Sequence, residues 1–215
     1  MFDQRGTGRT TAPPAETAQL LGEDALAVGR ALLGDRFALA GFSMGGMAAL
    51  HATLESSEAI TALALVATTA GGKGLTWPSR TVIESATGLM SESDEERTRR
   101  SVVLAFSSRF TTEHPDIIDW LVAEEMAEPL SEQDWAAHAR IFTTHDVANR
   151  LAEIAVPTVV ICGSDDENMP VENSHYLAEH IRDARLVVLP GARHGLHIEC
   201  PGALKAELLG ILSSP

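Results

Sequence analysis

Three short stretches of this 215-residue chain carry side chains suited to acyl transfer. Gly41-Phe42-Ser43-Met44-Gly45 offers a hydroxyl, Gly163-Ser164-Asp165-Asp166 offers carboxylates, and Gly191-Ala192-Arg193-His194 offers an imidazole. A serine hydroxyl is a poor nucleophile until a base takes its proton. The imidazole in turn needs a carboxylate to fix its tautomer and to stabilise its charged form. Ser43 as nucleophile, His194 as base and Asp166 as orienting acid complete such a set. The spacing Gly163-x-x-Asp166-x-x-x-Pro170 favours Asp166, with Asp165 as the alternative acid.

The first stretch fits G-x-S-x-G, a strand-to-helix turn so tight that its serine is strained and its oxygen exposed. Both flanking glycines are expected to be needed because a Cβ there would strike neighbouring backbone. The following helix would aim its positive end at the site, and the Met44 N–H would face a developing oxyanion. Among eight histidines only His194 and His197 lie just past the last predicted strand. His197 reads as a packing or hydrogen-bonding residue, and His51, His114, His138, His145, His175 and His180 read as structural. His194, His197, Asp165 and Asp166 are also of the right types for a metal site. His194-x-x-His197 falls in a loop without a third ligand at helical spacing, so no metal or organic cofactor is expected. Cys162 falls inside an apolar run and reads as core rather than nucleophile. Glu199 is expected to bond only locally.

The elements that would position these residues alternate between strand and helix. Apolar residues at three- and four-residue steps from Leu20 to Leu33, closed by Gly34, predict an amphipathic helix. Runs at 36–42, 60–68, 157–163 and 184–189 predict buried strands. The stretches at 44–54, 170–181 and beyond Pro201 predict the helices between and after them. Each reactive stretch follows a strand, so the three would leave the same edge of one parallel sheet. From 72 to 152 the pattern becomes helical and charged, which predicts a helical insertion. Residues 1–71 and 153–215 then form an α/β core and 72–152 a lid. Phe42, Trp77, Trp120, Trp135 and Phe142 are candidates to line an apolar substrate pocket, although aromatics at helical spacing are usually core.

Sixteen basic residues against 30 acidic ones give a net charge of −14, which disfavours phosphate backbones and anionic membranes as partners. No apolar run reaches the ~18 residues that span a bilayer, and Met1-Phe2-Asp3-Gln4-Arg5-Gly6 lacks the apolar stretch of a secretory signal. The two cysteines, Cys162 and Cys200, cannot make a disulfide framework. A cytoplasmic protein acting on a small molecule is expected.

The order Ser43, Asp166, His194 and the elbow 41–45 resemble the α/β-hydrolase superfamily, in its lidded group of serine esterases, lactonases and carbon–carbon bond hydrolases. Asp3-Gln4-Arg5-Gly6-Thr7-Gly8-Arg9-Thr10 also resembles that family's D-x-R-G-x-G-x-S loop. Arg193 replaces a frequent glycine before the histidine, and Thr10 a frequent serine. The resemblance implies an α/β-hydrolase fold, a mostly parallel sheet flanked by helices, and a serine hydrolase of small esters, lactones or related carbonyl compounds. It further implies that the family's first four strands and one helix, on the order of 50 residues, are absent from this sequence. With them would go an H-G-x-type loop that supplies a second oxyanion donor, leaving Met44 as the only one. The 36–42 strand would then lie at an open sheet edge, a site for self-association, and the chain alone would be poorly soluble or weakly active. The competing expectation is a catalytically impaired fragment or a ligand-binding relative without activity.

Overall fold

The computed structural model describes residues 3–87 and 93–212. Met1 and Phe2 of the N-terminal reading and positions 88–92 of the predicted insertion lie outside them. Four strands, β1 (Phe37–Phe42), β2 (Ile60–Val66), β3 (Thr158–Gly163) and β4 (Arg185–Leu189), form one sheet in the order β1-β2-β3-β4. Every neighbouring pair is parallel. The predicted α/β class is therefore found, with all strands ending on the same side. Among the described residues β1 occupies one edge of this sheet.

β3 is buried along its whole length, the pattern of a strand covered on both faces. Alternation divides the core in two. Leu63, Leu65 and Val160 pack with Ala49, Leu50 and Leu177 on one face. Ala62, Ala64, Val66 and Ile161 pack with Leu196 and Ile211 on the other. Helices α1 (Ala18–Leu33), α2 (Met44–Glu55) and α8 (Val171–His180) flank the sheet, as do the short α9 (Leu196–Glu199) and α10 (Pro201–Leu212). The Thr17 hydroxyl caps α1 by accepting from Leu20 N–H at 3.2 Å. Gly34 ends that helix at φ +92°, a region that favours glycine.

Between β2 and β3 the chain is helical: α3 (Arg80–Thr87), α4 (Asp94–Leu104), α5 (Ser108–Glu113), α6 (Pro115–Ala127) and α7 (Glu132–Thr144). Val102, Phe106, Phe110, Ile118 and Val122 form a small apolar cluster of their own there. The two ends of this helical stretch meet: Val147 N–H donates to Ala70 C=O at 2.9 Å, and Gly71 bridges Asp146. α4 and α5 are started by Ser93 and Ser107, and α7 by Ser131, each through a hydroxyl that accepts a first-turn N–H.

Candidate active site

Ser43 sits between β1 and α2 at φ +52°, ψ −119°, a conformation that costs a non-glycine residue roughly 1–3 kcal/mol. Its backbone is held from both sides. Ser43 N–H donates to Val66 C=O at 2.8 Å, while Ser43 C=O accepts from Gly46 N–H at 2.9 Å and from Thr68 Oγ1 at 2.7 Å. A Cβ on Gly41 would lie 2.3 Å from Gly45 C=O, so the glycine before the serine is required. The second expected requirement fails. A Cβ on Gly45 would meet nothing within 4 Å, because that position of α2 faces open space. The steric demand falls one residue later, on Gly46, whose Cβ would lie 2.5 Å from Thr68 Cβ. The Gly45-Gly46 pair was the available signal for this, but nothing local to it reveals a neighbour 22 residues away.

Asp166 follows β3 in a turn and is buried. Asn168 and Met169 N–H both donate to its Oδ1 at 2.8 Å, which compensates a buried carboxylate for its lost water. Its Oδ2 lies 2.8 Å from His194 Nδ1. A carboxylate only accepts, so Nδ1 carries a proton, and in the neutral imidazole Nε2 then presents a lone pair. That lone pair faces Ser43 Oγ at 3.1 Å. Hydroxyl, imidazole and carboxylate thus form one continuous chain of hydrogen bonds across 151 positions of sequence. Asp165 is not in it: its Oδ1 accepts from Ser164 Oγ at 2.6 Å, and its backbone N–H donates to Ala192 C=O. Both ring nitrogens of His194 are committed, and among the described residues no cluster of three or more His, Cys, Asp or Glu is arranged to hold a metal.

Gly46 N–H and Met47 N–H turn back to Ser43 C=O. Met44 N–H, in the first turn of the 12-residue α2, has no such partner in the helix and lies at its positive end. The Phe42 ring lies 4.9 Å from the His194 ring and 4.7 Å from that of His197. Phe42 therefore packs against the imidazoles. Partial burial, and then the neighbouring His194, push the His197 imidazole below its ordinary value. Cys162 is buried within β3, and burial pushes its thiol up, away from the reactive thiolate.

The remaining aromatic residues are dispersed. Trp77 meets Phe142 edge-on at 5.6 Å, while Trp120 and Trp135 on α6 and α7 stay about half exposed, at 56% and 50%. Two cavities stand out, of about 700 Å³ beside Asp3, the 6–10 loop and Glu128–Leu130, and about 280 Å³ beside His51, Glu55 and Arg150. Neither includes Phe42, Trp77, Trp120, Trp135 or Phe142. No helix among the described residues is long and apolar enough to cross a membrane.

Comparison with known proteins agrees with this architecture. The chain is 28% identical over 203 residues to 3-oxoadipate enol-lactonase 1 of Acinetobacter baylyi, covering 93% of this chain and 73% of that one. It superposes with a TM-score of 0.80 on Est816, described as an N-acyl homoserine lactone degrading enzyme, at 25% identity over 97% of this chain and 80% of the other. The enol-lactonase of Burkholderia xenovorans LB400 shares the fold, with a TM-score of 0.82 at 23% identity, covering 99% of this chain and 79% of that one. The family model for the alpha/beta hydrolase fold matches residues 1–201, so the chain belongs to the α/β-hydrolase family.

Proposed function

We propose that the protein is a serine hydrolase of a small ester, lactone or related carbonyl compound, working through an acyl-enzyme. The observation that carries this reading is the unbroken chain Ser43 Oγ, His194, Asp166 at 3.1 and 2.8 Å, built on a strained serine. Similarity to lactone-cleaving enzymes supports the substrate class.

Ser43 Oγ attacks the carbonyl carbon as His194 Nε2 takes its proton, and Asp166 stabilises the imidazolium. The resulting oxyanion faces Met44 N–H and the positive end of α2. Collapse breaks the bond to the leaving oxygen, which receives the proton from His194. Water then adds to the acyl carbon, giving its proton to His194, and the carboxylic acid leaves with Ser43 restored. With a lactone, the leaving oxygen stays tethered and the product is one hydroxy acid. The helical stretch 72–152 is read as a lid over this site, and the reaction needs no cofactor.

A fluorophosphonate probe tests the assignment, since it labels only a serine activated in this way. Wild-type protein should be labelled at Ser43, and Ser43→Ala should abolish labelling. Unlabelled wild-type protein would instead support a relative without activity.

A further inference from the structure

His194 is bracketed by two residues that are both tied to the joint between α4 and α5. On one side, the Arg193 guanidinium donates from one nitrogen to Leu104 C=O at 3.4 Å and from the other to Glu167 Oε1 at 2.7 Å. On the other, Gly195 N–H donates to Ala105 C=O at 2.7 Å. The Phe106 ring closes over Gly195 so tightly that a Cβ there would lie 2.3 Å from a ring carbon.

Glu199, at the end of α9, does not bond only within the histidine loop as expected: it reaches Ser107, 92 positions away, and fastens the same two segments a second time. Its carboxylate accepts from Ser107 Oγ–H on one oxygen, and on the other from Ser107 N–H at 3.3 Å and Arg193 N–H at 3.4 Å. Ser107 is also the residue whose hydroxyl starts α5. Glu167 completes the arrangement, because it adjoins Asp166 and its own C=O accepts from Ser79 N–H at 2.9 Å. The loop that carries the base, the turn that carries the acid and the helical insertion are thus clamped together by Arg193 and Glu199. β4 ends at Leu189, so sheet pairing alone stops five residues short of His194.

We propose that Glu199 and Arg193 are positioning residues through which the α4–α5 joint sets the place of His194 against Asp166 and Ser43. The insertion then has a part in the chemistry besides covering it: it supplies one wall of the mould that holds the base. The proposal rests on the hydrolase reading for its effect on turnover, but its geometric content can be read without turnover. Misplacing a reacting group by about 1 Å costs on the order of 100-fold in rate, which sets the scale to expect.

The experiment compares wild-type protein with Glu199→Ala, Glu199→Gln, Arg193→Met and, as a control, Arg99→Ala, which removes an exposed α4–α6 ion pair with Asp119 that involves neither Arg193 nor Glu199. Two readouts are used: hydrolysis of a p-nitrophenyl ester, and the low-field proton NMR signal of His194 Nδ1–H bonded to Asp166, assigned by its loss in Asp166→Asn. Glu199→Ala and Arg193→Met should lower kcat about 10- to 100-fold with little change in KM, and should broaden or erase the low-field signal. Glu199→Gln keeps an acceptor for the two N–H groups and should recover most of both. Arg99→Ala should leave both unchanged. Lowered melting temperature with normal kcat and a normal low-field signal in Glu199→Ala and Arg193→Met would overturn the proposal. Should Glu199→Ala fail to fold, Arg193→Met decides on the same readouts. If wild-type protein neither hydrolyses the ester nor takes up a fluorophosphonate, the hydrolase reading falls, and the NMR signal still decides the positioning role.

Discussion

The Thr68 hydroxyl donates to the main-chain carbonyl of Ser43 at 2.7 Å, so the residue just past β2 braces the turn that closes β1. The same side chain fills the space beside Gly46. One threonine therefore both accepts the close approach of α2 and ties down the strained serine that precedes it.

Replacing this threonine by valine keeps the shape and removes the bond. Thr68→Val should lower stability by about 1 kcal/mol, the usual net worth of one such bond, because Gly46 N–H still satisfies the carbonyl. Turnover should fall as the serine relaxes. Urea denaturation beside ester hydrolysis checks both, and an unchanged midpoint would show that Thr68 bears no strain.

The glycines of the elbow should separate sharply. Gly46→Ala drives a methyl into Thr68 and should cost about 1–3 kcal/mol. Gly45→Ala enters open space in a helix and should stabilise by up to about 1 kcal/mol. Thermal unfolding of the two variants, differing by one position, measures the contrast.

The two neighbouring aspartates should differ in kind. In Asp166→Asn, the amide oxygen can still accept from Asn168 and Met169 N–H, which leaves the amide NH2 facing His194 Nδ1. That forces the proton onto Nε2, which can no longer accept from Ser43. Turnover should drop by about 10⁴ while the fold survives. Asp165→Asn touches only Ser164 and should leave turnover unchanged. Steady-state kinetics with circular dichroism distinguishes the pair.

A pH dependence of stability is built in far from Ser43. His145 Nε2 lies 3.1 Å from Thr69 C=O and must donate to it, and its Nδ1 meets His51 Nε2 at 3.3 Å. Burial, and then the His51 ring, push the His145 imidazole down to about 4 from 6.5, while the bond to Thr69 C=O and then nearby Asp146 pull the other way. The His51 imidazole is lowered as well, by burial and then by the Arg150 charge. A lowered histidine binds its proton in the unfolded chain first, so stability is complete above about pH 6.5 and drains away as pH falls towards 4. His145 alone contributes up to about 3 kcal/mol of that loss. Urea titrations between pH 7 and 4.5 should show a shallower decline for His145→Gln than for wild type.

Much of this was legible in one dimension. The alternation of β-branched runs with amphipathic stretches carries the parallel sheet, because a strand buried on both faces must be apolar throughout. β3 satisfies that along its whole length, whereas β1, predicted as a buried strand, lies at the sheet edge and leaves Ala40 exposed. The Gly41-Phe42-Ser43 turn was equally readable, since its strain is local to the backbone. The candidate acid and base were readable to within a residue for a different reason: suitable side chains lie just past the ends of β3 and β4, and parallel strands end together.

Other features depended on neighbours remote in the chain. Whether Asp165 or Asp166 faces inward is set by the bonds that Asn168 and Met169 make to one carboxylate. The need for glycine at 46 rather than 45 is set by Thr68. The half-exposed positions of Trp120 and Trp135 follow from how α6 and α7 turn, and their helical spacing alone could not fix that. Sequence by itself determined which groups this chain offers for chemistry and where along it the candidate hydroxyl, imidazole and carboxylates lie, because residue type and backbone strain are local properties. Tertiary structure alone decided which groups touch, above all the clamp of Arg193 and Glu199 on the α4–α5 joint. Those contacts join segments up to 92 positions apart, and only the packed fold brings them within hydrogen-bond range.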